Sequence, residues 1–394
     1  MIAPTPFFSH RGTHIRILEE ARSLEKLGHE IIIATYHIGD DIEKYIDTQI
    51  DVRRIRRWLF WYKKTEAGPN WQKILLNIFL IKKVFSLTNT ENPDVIHAHL
   101  HEGVLIGRLV QYVLFWKNIK LVSDFHGSLV GEMRSHGYLG VPPLGTIFRF
   151  LERKINRMGD VAIVSGEENI DIISEARSKD NRARYIYDGV NIVDYDKKEN
   201  KKTLRIKYNV PEDAFVVVYT GALIINKGIS HILEAIPFVL KEKKDVHFVI
   251  GGYPAKWLRN DIETRKLTKN VTVISPLNYF KLAEVNLMAD VAIDPKDAAV
   301  KQASGKILQY MAAGAGIICL DRPTNKKYLS ERSAVFLQVM NAHTITDAIM
   351  KFYRDRDLLD ACVKNAKDDV VQFNWSIIGK KIERIYEELV KDEK

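Results

Sequence analysis

The sequence predicts an α/β protein with two doubly wound domains, each a parallel sheet flanked by helices. Short apolar runs alternate with helical patterns along nearly all of the 394 residues, and this alternation is typical of parallel strands joined by helical crossovers. The length exceeds what one compact core usually holds, whereas two domains of ordinary size account for it. We expect the domains at residues 1–190 and 211–373, with a polar linker at 191–210 and a terminal helix at 374–394.

Composition and cysteine usage predict a cytoplasmic protein. Hydrophobic residues make up 46% of the chain and charged residues 28%, and no apolar run approaches the ~18 residues that a membrane span requires. The N-terminus lacks the basic and then apolar order of a secretory signal. Cys319 and Cys362 lie in apolar or helical patterns, so we expect buried thiols and no disulfide. The net charge of +9 favours an anionic partner such as a nucleotide, a phospholipid or a nucleic acid.

The first domain is predicted to open with a short strand, a loop that holds Gly12, and a helix over residues 13–27 that Gly28 ends. Further strands are expected at IIIATY from Ile31, DVIHAH from Asp94, the run Lys120–Asp124, VAIVSG from Val161 and YIYDGVN from Tyr185. Ligands of a doubly wound sheet lie at the carboxyl ends of its strands. Gly12 and the N–H groups behind it would lie there, although one glycine fits a plain tight turn equally well.

Candidate catalytic side chains also fall at the predicted strand ends. His126 follows the strand that ends at Asp124, where it could touch a reacting hydroxyl, although a hydrogen-bonded loop residue is an equal alternative. We take His126 and Gly12 as the catalytic candidates. His10, in the glycine loop, His99 and Asp124 are further candidates on the acceptor side.

Three histidines alternate near the end of the predicted strand DVIHAH. His97, His99 and His101 would share one face if the strand extended that far, and that spacing can bind a metal ion. The sequence shows no further cluster of carboxylates or histidines that would complete such a site. We therefore predict that these side chains lie at a strand end or line a pocket, and that no metal is bound.

The stretch Arg53–Lys64 has the most unusual composition in the chain, with six basic residues, four aromatic residues and no acidic residue. The helical pattern that follows carries an apolar face and flanking lysines, formed by Ile74, Leu75, Ile78, Ile81 and Val84 and by Lys73, Lys82 and Lys83. Such a surface suits an anionic bilayer, so we expect peripheral attachment to the inner face of the membrane. A basic loop before a core helix is the alternative. Base stacking by the aromatic residues ranks third, and without a nucleic-acid-binding module we expect no nucleic-acid partner.

The second domain is predicted to bind phosphate next to its first strand. FVVVYTG, Phe215–Gly221, is a buried strand that ends in glycine, and Lys227 and Gly228 then start a helix. Two effects favour phosphate at such a position, beside the carboxyl end of a strand. They are the charge of the lysine and the dipole of the helix whose N-terminus it occupies. A solvated lysine is the alternative.

A second helix N-terminus lies in SGKILQYMAAGAGIICLD, Ser304–Asp321. Its apolar positions recur at helical spacing, and glycines end the helix before a buried strand. Ser304, Gly305 and Lys306 form an N-terminus suited to an anion, and Gln309 lies about one turn further, where its amide can bond a hydroxyl. A phosphate with an attached ribose fits this segment, whereas an ordinary capped helix is the alternative.

The order of these segments resembles that of family 4 glycosyltransferases with the GT-B fold, across nearly the whole chain. The matching pieces are the glycine loop with RILEEARSLEKLGHEI, then DVIHAHL, DFHGS, YIYDGVN, YTGALIINKGISHILEAI, KILQYMAAG and WSIIGKKIERIYEEL. The resemblance implies two Rossmann-like domains facing each other across a cleft, with the C-terminal helix packing back towards the first domain. It also implies transfer of a sugar, with retention of configuration and without a metal or other cofactor. The nucleotide-diphosphate-sugar donor would be held by the second domain and the acceptor by the first.

Three positions depart from the pattern of this family. An arginine usually follows the glycine of the first strand of the second domain, where this chain has Ala222. Two glutamates separated by seven residues fall on Lys301 and Gln309, and a family asparagine falls on Asp188. We interpret the chain as a lysine-containing variant in which Lys306 compensates for a lost phosphate contact.

Two other classes of protein share much of this pattern. A nucleotide-sugar epimerase or hydrolase would use the same phosphate chemistry, but the basic and aromatic stretch would then have no evident use. A weakly active or noncatalytic glycan- or lipid-binding relative is suggested by Ala222 and Lys301. We predict a glycosyltransferase that acts on a lipid-linked or glycan acceptor.

Overall fold

The computed structural model describes residues 1–63, 71–135, 142–177, 183–196, 199–224, 227–296 and 304–391. It divides the chain into two compact units. The first comprises Met1–Asp188 and Trp375–Lys394, and the second comprises Gly189–Asn374. Residues 191–210, which the sequence analysis assigns to a linker, lie in the second unit.

Each unit contains one parallel sheet. The strands are β1 (Ile2–Ala3), β2 (Ile32–Thr35), β3 (Asp51–Arg54), β4 (Val95–His99), β5 (Lys120–Phe125), β6 (Val161–Val164), β7 (Ala183–Tyr185), β8 (Phe215–Ala222), β9 (Val246–Tyr253), β10 (Val271–Ile274), β11 (Val291–Asp294), β12 (Gly316–Leu320) and β13 (Ala334–Leu337). Within the described residues, the strand order is β3-β2-β1-β4-β5-β6-β7 in the first unit and β10-β9-β8-β11-β12-β13 in the second. In each sheet the chain moves outwards from the first strand and then continues on its other side. The predicted doubly wound α/β class is therefore confirmed.

Helices connect the strands and cover both faces of the sheets. They are α1 (Gly12–Glu25), α2 (Gln72–Glu91), α3 (Leu100–Val113), α4 (Leu129–Ser135), α5 (Pro142–Ile155), α6 (Glu167–Ala176), α7 (Lys201–Lys207), α8 (Ile229–Glu242), α9 (Lys256–Thr264), α10 (Leu282–Leu287), α11 (Gly305–Ala313), α12 (Pro323–Lys326), α13 (Ala342–Arg354), α14 (Arg356–Val370) and α15 (Trp375–Lys391). No helix in the described ranges is both long and apolar enough to cross a bilayer.

The strands of the first sheet are apolar because both of their faces are covered. Leu121 and Phe125 of β5 pack into a cluster with residues of α2 and α3. Val122, on the opposite face, packs with Leu24 of α1 and with the apolar side of α15. The C-terminal helix thus completes one face of the first sheet, as predicted.

Two helices differ from the sequence predictions in ways that bear on function. α3 begins at Leu100, directly after β4, so His101 lies on a helix and does not extend the alternation of His97 and His99 along the strand. α2 carries apolar residues on two sides. Leu76, Leu80 and Val84 are buried, whereas most of the face predicted from the sequence is exposed, including Ile74, Leu75 and Ile78.

Candidate functional site

In the second unit, two helices begin beside the carboxyl ends of β8 and β11. These strands are adjacent and parallel, and they lie where the strand order changes direction, the usual ligand position in doubly wound sheets. Gly228 precedes α8 with a φ of +80°, and a Cβ there would lie 1.9 Å from the carbonyl oxygen of Pro295. Only glycine therefore allows α8 to begin this close to the end of β11.

Helix α11 is held at the same edge of the sheet by a hydrogen bond between its second turn and β8. The Tyr310 hydroxyl accepts a hydrogen bond of 2.9 Å from the backbone N–H of Thr220. Ser304 is the N-cap residue, and Gly305 and Lys306 form the first turn. The Ser304 hydroxyl is buried and has no hydrogen-bond partner among the described residues. A buried hydroxyl and the first N–H groups of a helix together suit an anion.

The Lys306 ammonium lies over the end of β8. Its Nζ is 4.4 Å from the centroid of the Tyr219 ring and 3.6 Å from Oδ1 of Asp294. A Cβ at Gly221 would lie 2.9 Å from the same Nζ. The glycine therefore leaves the space that the ammonium occupies.

Further cations lie close to Lys306. Burial, and then the charge of Lys306, lower the pKa of Lys227. Burial lowers the pKa of Lys296 to about 8, Asp294 acts in the opposite direction, and Lys306, Lys227 and Arg322 add to the lowering. Several positive side chains therefore surround the buried carboxylate of Asp294, and an anion would compensate for their excess charge.

The structure gathers most of the predicted donor-binding residues at this edge: Gly221, Lys227, Gly228, Ser304, Gly305 and Lys306. Gln309 is half-buried, one turn into α11. Ala222 is exposed at the end of β8, and its carbonyl oxygen accepts a hydrogen bond from the Tyr219 hydroxyl. Lys301 lies outside the described residues.

Asp294, Lys296 and Arg322 also belong to this cluster, although the sequence patterns did not predict them. Asp294 and Lys296 flank a proline at the end of the buried strand β11. A charged residue at the carboxyl end of a central strand was the available signal.

In the first unit, buried polar residues from α1, β4 and β5 converge. Four of them each offer one metal-ligating atom, and these four atoms lie within 4.8 Å of one another. We call these four residues, Glu20, His97, His99 and Asp124, the polar quartet. β4 adjoins β1, which leads into α1, and β5 lies on the other side of β4. The fold thus assembles the quartet at the point where the strand order of the first sheet changes direction.

Arg16 is the cation of this cluster. Its guanidinium lies 2.9 Å from Glu20, 3.4 Å from Asp124 and 2.6 Å from Asp188. Burial alone would raise the pKa of Asp124, but Arg16 and the neighbouring histidines hold it well below its usual range. Burial raises the pKa of Glu20 well above its usual range. Arg16 and Glu20 were not predicted from the sequence, although they stand one turn apart on the predicted first helix.

His126 borders the quartet. Its Nε2 lies 3.3 Å from Nδ1 of His99 and 3.7 Å from Oδ2 of Asp124. Burial lowers the pKa of His126 to about 4, against the influence of Asp124. The imidazole is therefore neutral at pH 7. It can donate a hydrogen bond to a ligand hydroxyl from one ring nitrogen or accept one at the other.

The other first-unit candidates have different surroundings. Gly12 is the exposed first residue of α1, and a Cβ there would meet no atom within 4 Å. His10 contacts the rings of Phe8 and Tyr45, and its Nε2 lies 3.6 Å from Asp40. The structure therefore brings His99, Asp124 and His126 together, whereas His10 contacts Phe8 in its own loop and Asp40 and Tyr45 in the loop after β2.

Comparison with known proteins places this geometry in a family. The model of Glycosyltransferase Family 4 matches residues 10–193, and that of Glycosyl transferases group 1 matches residues 200–369. The chain is a family 4 glycosyltransferase with the GT-B fold.

Individual relatives of this glycosyltransferase are distant. Sulfoquinovosyl transferase of Arabidopsis thaliana is 23% identical over 393 residues, which span 97% of this chain and 71% of that protein. A phosphatidylinositol N-acetylglucosaminyltransferase subunit of Saccharomyces cerevisiae is 22% identical over 317 residues, which span 77% of this chain and 63% of that protein. The solved structure of HepE from Anabaena, in complex with UDP-glucose, aligns with a TM-score of 0.74 at 14% identity and covers 98% of both chains. At these identities the likeness to the solved structure supports the fold alone.

The pKa of Lys296 leads to a prediction about anion binding. Because this pKa is about 8, the side chain is an ammonium ion at pH 7 and loses its proton as the pH rises through that value. Nucleoside-diphosphate affinity, measured by calorimetry, should therefore fall between pH 7 and 9.5, by at most about tenfold per pH unit. The last pKa of the diphosphate is about 6, so its remaining ionisation above pH 7 would strengthen the attraction and cannot cause the fall. In Lys296→Arg the guanidinium stays charged, so the fall should be much smaller, and equal profiles for both proteins would contradict the prediction.

Proposed function

We propose that this glycosyltransferase transfers a sugar from a nucleotide-diphosphate sugar, with retention of configuration, to a lipid-linked or glycan acceptor. The second unit would bind the donor and the first unit the acceptor. The observation that carries the proposal is the convergence of Lys227 and Lys306, each at a helix N-terminus, with Lys296, which follows β11. A diphosphate supplies the negative charge that this arrangement needs, and HepE, a protein of the same fold, has been solved with UDP-glucose.

The proposed reaction follows from these charges. The bond between the sugar and the β-phosphate oxygen breaks, and the acceptor oxygen forms the new glycosidic bond on the same face of the sugar. The acceptor proton passes to the departing phosphate. The lysines stabilise the negative charge that develops on the leaving group, and positioned charges of this kind are often the largest contribution to catalysis. The lysines of this chain would therefore stabilise the charge of the leaving group without the help of a metal ion or cofactor.

A transfer assay tests the activity directly. We would first screen nucleoside diphosphates by thermal shift, because a ligand that binds the native state raises the Tm. The matching nucleotide sugars would then be incubated with lipid and glycan acceptors. Acceptor-dependent release of the nucleoside diphosphate supports the proposal. Release at the same rate without an acceptor would favour a nucleotide-sugar hydrolase or epimerase.

Replacing either lysine at a helix N-terminus should weaken donor binding. Lys227→Ala and Lys306→Ala should each reduce nucleoside-diphosphate affinity by about 1.5–3 kcal/mol, the usual range for a hydrogen bond to a charged group. Calorimetry would measure the change. Lys202→Ala is the control, because Lys202 lies on α7 and pairs with the exposed Asp213. Affinities within twofold of the unmodified protein for both variants would refute this role.

Replacing His126 should affect turnover more than donor binding. We expect His126→Ala to lower kcat and to leave nucleoside-diphosphate affinity nearly unchanged, as for an interaction made mainly in the transition state. His101→Ala is the matched control, since His101 is also buried and hydrogen-bonds Asn156. Circular dichroism would verify that both variants fold. A kcat equal to that of the control would remove His126 from the reaction.

An exposed aromatic and basic surface on the first unit supports a membrane-bound acceptor. Trp58 is 59% exposed, Trp71 67% and Ile74 66%. The guanidinium of Arg56 lies 5.7 Å from the ring centroid of Trp58. The exposed set continues onto α3 and the turn after it, through Tyr112, Phe115 and Trp116, and α2 packs against α3. We infer from this surface a peripheral association with an anionic cytoplasmic leaflet.

The four arginines of the stretch Arg53–Lys64 fall into two groups. Arg53 pairs with Asp51, and Arg54 pairs with Asp41 and donates to the Phe7 carbonyl oxygen. Arg56 and Arg57, by contrast, are exposed. Each exposed basic residue near an anionic membrane contributes about 1 kcal/mol. Membrane binding should therefore depend on the second pair and not on the first.

Vesicle sedimentation tests this division. Binding should increase with the fraction of anionic lipid and decrease with salt, because the attraction is screened. Arg56→Ser with Arg57→Ser should reduce binding by about tenfold or more, whereas Arg53→Ser with Arg54→Ser should change it little. Binding that ignores lipid charge and salt, or that survives the first pair of substitutions, would contradict the membrane assignment.

A further inference from the structure

The polar quartet has the composition of a metal site. It offers two imidazole nitrogens and two carboxylate oxygens, the ligand types that divalent zinc binds in proteins. All four side chains are almost completely buried. His97 and His99 come from β4, Asp124 from β5 and Glu20 from α1, so rigid elements hold each ligand.

The spacing of the quartet also fits one ion. Nε2 of His97 lies 3.9 Å from Oε2 of Glu20 and 3.6 Å from Oδ2 of Asp124. Nδ1 of His99 lies 3.9 Å and 3.5 Å from the same two oxygens. These separations are too long for hydrogen bonds. Ligands about 2.0–2.2 Å from a tetrahedral ion stand about 3.3–3.6 Å apart, so movements of a few tenths of an ångström would complete the coordination.

Two of these ligand atoms are buried without a hydrogen bond. Among the described residues, neither Nε2 of His97 nor Oε2 of Glu20 has a hydrogen-bond partner. The ligand atoms of the quartet all lie within 4.8 Å of one another, and an unpaired buried polar atom is costly. An ion bound among these atoms would satisfy the two unpaired ones.

Charge balance points in the same direction. The carboxylates of Glu20, Asp124 and Asp188 surround one guanidinium, that of Arg16. Three negative charges and one positive charge leave an excess of two negative charges when Glu20 is ionised and of one when Glu20 is protonated. With Glu20 ionised, a divalent ion would bring the sum to zero, whereas buried uncompensated charge is strongly unfavourable.

Two of the ligands, His97 and Glu20, have groups behind them that can orient a metal-binding side chain, whereas Nε2 of His99 has no hydrogen-bond partner among the described residues. Nδ1 of His97 is 2.6 Å from the Tyr386 hydroxyl on α15, so Nε2 remains for the ion. Arg16 holds Oε1, the second oxygen of Glu20, and it also lies 3.4 Å from Oδ2 of Asp124, the oxygen that would bind the ion. An ion on Nδ1 of His99 would replace the proton that this atom shares with Nε2 of His126 at 3.3 Å.

We propose that the polar quartet binds one divalent transition-metal ion of the zinc type. The ion is a structural one, because the quartet is closed to solvent and all four ligands belong to the protein. It connects α1, β4 and β5, and through Tyr386 it is linked to α15. The proposal is independent of the donor site, and its readouts are metal content and stability.

Metal analysis of the full chain tests this inference. The protein would be expressed without a polyhistidine tag in zinc-supplemented medium, and mass spectrometry should find about one Zn²⁺ per chain. Glu20→Gln and His97→Gln should reduce this to below about one-tenth. His101→Gln, a substitution of a neighbouring buried histidine, should retain the full amount. Metal retained by both quartet variants would overturn the assignment.

A second measurement needs no variant. Protein stripped with a chelator and titrated with Co²⁺ should develop the visible absorption of a tetrahedral site, and Zn²⁺ should raise its Tm. Unmodified protein that contains less than about one-tenth of an equivalent of metal, gives no such absorption and keeps its Tm would overturn the proposal. In that case Arg16 and shared protons alone balance the carboxylates.

Discussion

Parallel strand direction is the constraint on which both candidate sites depend. A parallel sheet brings the carboxyl ends of its strands to one edge, and a doubly wound order opens a ligand position where the order changes direction. In the first unit that position lies at β1 and β4 and receives the polar quartet. In the second it lies at β8 and β11 and receives the lysines around Asp294. The same topology therefore yields two sites of opposite charge.

The two sites resolve their buried charge differently. In the first unit the anions outnumber the cations, and Arg16 touches three carboxylates at once. In the second unit, the lysines outnumber the buried carboxylate of Asp294. Burial disfavours the charged form of Lys296 and thereby lowers its pKa. A site that disfavours its own charges in the free state gains when a complementary ion arrives. In each cluster an ion of the missing sign would therefore stabilise the folded chain.

Local sequence pattern brings the two lysines of the second unit to one edge but does not reveal the quartet, for a physical reason. Lys227 and Lys306 each stand at the N-terminus of a helix that follows a strand, so local pattern alone places them at the same edge of the sheet. Glu20 is four residues from Arg16 on a helix and appears as one half of an ordinary surface ion pair. Only the pairing of β1 with β4 and of β4 with β5 brings it to His97 and Asp124. Long-range strand order decides such a cluster, and no local spacing encodes it.

Helix α2 also shows what local sequence pattern cannot predict, namely which apolar side of a helix is buried. Periodicity identifies an amphipathic helix, but α2 carries two apolar sides and a sheet can cover only one. The covered side holds Leu76, Leu80 and Val84, and the side with Ile74 and Ile78 stays exposed. Exposed apolar side chains of this size, next to tryptophans and cations, lower the free energy only when something covers them. An anionic bilayer would meet both needs at once, since its hydrocarbon would receive the apolar groups and its headgroups would attract the arginines.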